Sequence, residues 1–191
     1  MNAITLLKQD HQNVEALFER FERAGERQWA EKRRIVDTVT EHLSKHAAIE
    51  EQVFYPAIRR ELPDATPSVL EALEEHHLVK LTLAEIEKLP PQAERFTAKM
   101  TVLMENVRHH VKEEEEDLFP KVREAFSVQE LEELGEAMEK AKQTAPTRGH
   151  PFQPDTPPLN LVIGLPMALL DRCITAGKRA VVSAAKTLDR R

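Results

Sequence analysis

Apolar residues recur at steps of three and four in four stretches between residue 3 and about residue 122, the period of a helix with one buried face. The first stripe is Ile4, Leu7, His11, Val14, Phe18 and Phe21; the second is Val36, Val39, Leu43, His46, Glu50 and Val53. Thr66-Pro67 opens the third helix as an N-cap followed by a first-turn proline, and Pro90-Pro91 closes it. The fourth carries Leu103, Val107, His110, Glu114 and Leu118 on one stripe. A fifth helix is predicted from Ser127, where Ser-Val-Gln-Glu has the form of a capping box, to about Ala145. Residues 1–145 therefore read as one helical domain.

The pattern then changes. Residues 146–158, PTRGHPFQPDTPP, hold five prolines and read as an extended linker. Residues 159–191 form an amphipathic tail with six Lys/Arg against two Asp. Its apolar half needs covering, by the bundle, a protein partner or a second copy. Gly164 and Pro166 interrupt the apolar run that membrane insertion would need, so a membrane is not expected to be that cover.

Composition narrows the class. Five glycines and 31% charged residues suit helices, and a net charge of −6 argues against nucleic acid as a partner. The single cysteine, Cys173, excludes an internal disulfide. The opening MNAITLLKQDHQ lacks a signal-peptide pattern, so the expected location is cytoplasmic.

The stripes carry residues that do not belong in an apolar core. His11, His46, Glu50, His110 and Glu114 occupy core-facing positions, and each such group costs a few kcal/mol to bury without a partner. Together they would exceed the roughly 5–15 kcal/mol that holds a domain folded, and a bound cation is what compensates imidazole and carboxylate at once. The chain also repeats itself. HAAIEEQVFYP (residues 46–56) and HVKEEEEDLFP (residues 110–120) both read H-x3-E-x5-P, 64 positions apart. Asp10-His11 precedes His46 by 35 positions and Glu75-His76 precedes His110 by 34. Positions i and i+4 lie one turn apart on one helix face, so each phrase can grip a metal ion. Two hairpins related by a pseudo-two-fold axis then bring four His and two Glu to a shared centre.

His76 is favoured over His77 because it shares a stripe with Val79, Leu83 and Ile86. His77 and His42 stand as alternative ligands or hydrogen-bonding neighbours of the metal. Tyr55 has the same status: on an ideal helix it points away from Glu50, but Pro56 behind it loosens helical geometry. Glu51, Glu115 and His109 fall off the stripes and read as surface, and His150 in the linker has no evident partner. Ligand type alone leaves iron, zinc and manganese open. Structural zinc would prefer cysteine, and a ferritin-like site would need two E-x-x-H motifs, of which only Glu74/His77 is present.

Asp10-His11, His46/Glu50 with the following FYP, Glu75-His76 and His110/Glu114 together resemble the hemerythrin-like (HHE cation-binding) family over roughly residues 3–122. The ending APTRGHPFQPDTPPLNLV is also similar to the tail of actinobacterial members. The resemblance implies an all-α, up-down four-helix bundle, here with an extra C-terminal helix and a proline-rich linked tail. It further implies two non-haem iron ions, oxo- or hydroxo-bridged, with His11, His46, His76 and His110 as terminal ligands and Glu50 and Glu114 as bridges. Oxygen-carrying members have a further histidine one turn beyond the third-helix ligand. Lys80 occupies that position after His76, which argues against reversible oxygen carriage.

The expected activity is redox chemistry of a small molecule, O2, H2O2 or NO, with catalase- or peroxidase-like conversion where a phenol stands near the iron. The alternatives are a non-enzymatic oxygen or iron sensor or carrier, and a metal-free scaffold that docks through its tail.

Overall fold

A computed structural model describes residues 1–148, so the tail, most of the linker, His150 and Cys173 lie outside the described residues. The described chain is a helical bundle in which α1 (Ala3–Arg23) pairs with α2 (Trp29–Ile49), and α4 (Thr66–Lys88) pairs with α5 (Glu94–Glu113). Helix α2 runs through a five-residue π-helical segment, Glu50–Phe54, into α3 (Tyr55–Glu61). Helix α5 does the same through Glu114–Leu118 into α6 (Phe119–Ala125). The fifth predicted helix is α7 (Val128–Thr144), which lies against α1 and α2 and starts with the predicted capping box between Ser127 and Glu130. No helix among the described residues is long and apolar enough to cross a membrane.

Two details differ from the sequence pattern. Thr66 is the first residue of α4 rather than its cap: Ala65 takes the cap position without a side-chain hydrogen bond. More consequentially, neither H-x3-E-x5-P phrase is one uninterrupted α-helix. Pro56 and Pro120 cannot donate to the carbonyl one turn earlier, and their rings crowd it. The helix widens just before each proline, so the amides of Tyr55 and Phe119 bond back to the carbonyls of Glu50 and Glu114, five residues earlier. This shifts the helical phase: Phe54 is fully buried, where the stripe predicted Val53.

The core is split into two apolar clusters. One contains Ile4, Leu7, Ile49, Phe54, Ile58, Val69 and Phe119; the other contains Val14, Phe18, Val36, Val39, Leu83, Phe96 and Leu103. His11, His46, His76, His110 and Glu114, all buried, have positions in sequence between the two sets on their helices, and buried Glu50 follows one turn after His46. A polar layer is thus enclosed by hydrophobic packing on both sides. Such a layer needs a reason to exist.

Candidate metal centre

Each of the four long helical stretches contributes one inward histidine: His11 from α1, His46 from α2, His76 from α4 and His110 from α5. The two π segments each start with an inward glutamate, Glu50 and Glu114. His46 Nε2 lies 3.1 Å and His76 Nε2 3.3 Å from Glu50 Oε2. His11 Nε2 lies 3.4 Å and His110 Nε2 3.7 Å from Glu114 Oε2. Each carboxylate therefore touches one histidine from each half of the chain. Ligand atoms of His11, His46, Glu50 and Glu114 lie within 4.8 Å of one another, as do those of Glu50, His76 and His110.

Several buried polar atoms of this layer lack partners. His11 Nε2, both oxygens of Glu50 and Glu114 Oε2 have no hydrogen-bond partner. Each would cost about 1–3 kcal/mol if left so. Electrostatics gives the same picture. Burial and the adjacent Glu114 push Glu50 well above the ordinary carboxylate range. Burial also raises Glu114, but His110, His11 and His46 outweigh it and hold that carboxyl low. Burial depresses His46 to about 4 and lowers His76, so both imidazoles are neutral at pH 7 and have a lone pair to give. Burial opposes charge on His110 too, yet Glu114 and Glu75 raise it on balance. The donor set and the orphaned atoms fit a cation-binding centre.

A ring of carboxylates braces the histidines from behind. Glu115 accepts from His11 Nδ1 at 2.8 Å, Glu51 from His76 Nδ1 at 3.0 Å and Glu75 from His110 Nδ1 at 2.7 Å. Asp10 faces His46 Nδ1 at 3.6 Å, an ion-pair distance without a hydrogen bond. This pattern fixes ring orientation and leaves Nε2 to the metal. It obeys the repeat: Asp10 and Glu75 each serve the H-x3-E histidine of their own half, while Glu51 and Glu115 cross to the other half.

Here the surface reading of Glu51 and Glu115 is corrected. Glu51 is buried, and Glu115 is partly buried against Lys8 and His11. Both sit on the helix flank facing a neighbouring helix, a seam that an apolar stripe does not reveal. The signal was nevertheless present, since H-x3-E-E occurs in both phrases.

The other candidates separate cleanly. His76 points inward, while His77 is exposed. His109 is exposed, as expected. His42 is half-buried one turn from His46, outside both ligand clusters. Tyr55 is buried, and its hydroxyl donates to Glu114 Oε1 at 2.9 Å. The residue itself keeps helical dihedrals, so the π segment, not an unwinding before Pro56, turns it inward. Burial, with Glu114 and Glu50 nearby, pushes its phenol well above 10 and keeps it a neutral donor. Lys80, where oxygen carriers have a histidine, pairs with Glu51 at 2.6 Å.

An all-helical bundle around buried His/Glu clusters defines a metal-binding helical protein. The chain belongs to the hemerythrin HHE cation binding domain family, whose model matches residues 2–122. It is 30% identical over 131 residues to an uncharacterised hemerythrin-like protein of Schizosaccharomyces pombe, covering 68% of this chain and 64% of that one. It is 27% identical over 142 residues to a DNA nickase of Nostoc sp., covering 74% of this chain but 39% of the nickase. It is also similar to the crystal structure of a hemerythrin HHE cation binding domain-containing protein, the Rv2633c homolog from Mycobacterium kansasii. That match has a TM-score of 0.65 and 27% identity, and covers 75% of this chain and 86% of that chain.

Proposed function

We propose that the chain is a non-haem diiron protein that converts a small uncharged molecule, O2, H2O2 or NO, with peroxide or NO redox chemistry favoured. In this reading His11 and His46 would hold one ion and His76 and His110 the other, with Glu50 and Glu114 as the carboxylates shared between them. Bound iron would supply redox equivalents and open coordination positions for the substrate.

The observation that carries the reading is a cavity of about 30 Å³ against all four histidines and Asp10, otherwise walled by Val14, Leu43, Ala47, Val79, Val107 and Val111. Its size suits a molecule of two heavy atoms, and its aliphatic wall penalises charged ligands. On the other side of the centre, Tyr55 engages Glu114 Oε1 and leaves Oε2 free for metal. The equivalent position in the second phrase is Phe119, which stacks on His11 and offers no proton. The centre is therefore chemically asymmetric, with one phenol proton available on the Glu114 side.

The alternative is a non-enzymatic oxygen or iron sensor or carrier. Lys80 weighs against carriage, because its ammonium is committed to Glu51 and cannot ligate. The name of the Nostoc nickase is not carried over to activity: a net charge of −6 provides no general basic field for DNA. Iron-loaded protein should evolve O2 steadily from H2O2, as read by an oxygen electrode. A spectrum that appears with O2 and bleaches reversibly, without peroxide turnover, would favour the carrier reading.

A further inference from the structure

The four corners of the bracing ring are not equivalent. Lysines close three of them: Lys142 holds Asp10 at 2.5 Å, Lys80 holds Glu51 at 2.6 Å and Lys8 holds Glu115 at 2.7 Å. Each ammonium neutralises its carboxylate and repels an approaching cation. Glu75 is different. Among the described residues its partners are histidines: Oε2 accepts a hydrogen bond from His110 Nδ1, and Oε1 lies 3.7 Å from His109 Nε2. His109 Nε2 is in turn 3.3 Å from Glu113 Oε1. Ligand atoms of Glu75, His109 and Glu113 fall within 4.8 Å of one another at a partly exposed position, a donor set suited to a divalent cation.

This corner opens onto a polar pocket of about 180 Å³ whose wall carries Glu71, Glu75, Glu113 and Asp117 against one base, Lys121. Buried His110 and Glu114 also line it. Glu114 is 2% exposed, and its Oε2 has no hydrogen-bond partner. The pocket thus joins outward-facing acids to a buried carboxylate that has one oxygen without a hydrogen bond. A cleft lined with one sign of charge concentrates counter-ions and speeds their arrival.

We infer that Glu75, His109 and Glu113 form a transient divalent-cation site at the mouth of the pocket, through which iron enters the centre. The inference rests on the diiron reading. The site is weak and acts on rate: the cation rests on His109 and Glu113, passes Glu75 and moves inward to His110 and Glu114. Uptake of ferrous ion by metal-free protein, followed anaerobically by stopped-flow competition with a coloured ferrous chelator, tests it. His109→Gln/Glu113→Gln should load about ten-fold more slowly than wild type and still reach the same final iron content. Glu132→Gln/Glu136→Gln, on the exposed face of α7, should load at the wild-type rate. A wild-type rate in the His109/Glu113 variant, or equal slowing in the α7 control, overturns the gate. A lower final iron content in the His109/Glu113 variant also overturns it, since these residues would then hold metal rather than pass it. Failure of wild-type protein to take up iron overturns the diiron reading beneath it.

Discussion

At the residue scale, the centre is a set of individually unfavourable choices that make sense together. Glu50 is fully buried beside Glu114 with both oxygens unpartnered. In the metal-free chain it stays protonated well above 4.5, so the unfolded state releases its proton first and wild-type stability falls as pH rises past that value. Glu50→Gln has no proton to hold. Without metal it should be more stable than wild type by about 2 kcal/mol at pH 7, with the gap closing near pH 4.5, as read by urea denaturation. Equal stability at both pH values would contradict the buried-acid account. The bracing carboxylates make a second prediction: Glu51→Gln and Glu115→Gln should each weaken metal binding by roughly 10–100-fold in chelator competition. Unchanged affinity would reduce them to surface residues, the status their helical phase suggested. The six central residues were legible because a charge on an apolar stripe is conspicuous. Glu51 and Glu115 were not, because a polar residue on a helix flank looks the same whether it meets water or the next helix.

At the scale of elements, the repeated phrase encodes a π turn as well as a buried His/Glu pair. An α-helix places residue i+5 about 140° from residue i, which would swing Tyr55 away from Glu50. The widened turn before Pro56 returns it to the same side, where its hydroxyl reaches Glu114. The prolines were visible in sequence, but their effect on the preceding turn was not, since a proline can equally end a helix or kink it. Helix α7 was legible at its start, where the capping box lies in local sequence, but its docking was not. Buried Gly135 shows how closely it packs: a Cβ there would stand 2.1 Å from the Met1 carbonyl oxygen and 2.9 Å from the Ala3 amide nitrogen. Gly135→Ala should therefore destabilise the fold by about 1–3 kcal/mol in chemical denaturation. An unaffected midpoint would mean that the chain start shifts freely.

For the whole molecule, the polar layer between two apolar clusters links metal binding to folding. Four stripes with matched interruptions were enough to predict the helical bundle. Which corner of the bracing ring lacks a lysine depends on Lys8, Lys80 and Lys142, on three different helices, and only packing brings them into register. The central claim is that the layer holds two iron ions. Metal analysis of protein made with ample iron and purified aerobically, combined with its optical spectrum, tests this most directly. The account predicts two iron ions per chain and a near-ultraviolet charge-transfer band of bridged ferric iron; a single ion, or two zinc ions, would contradict it.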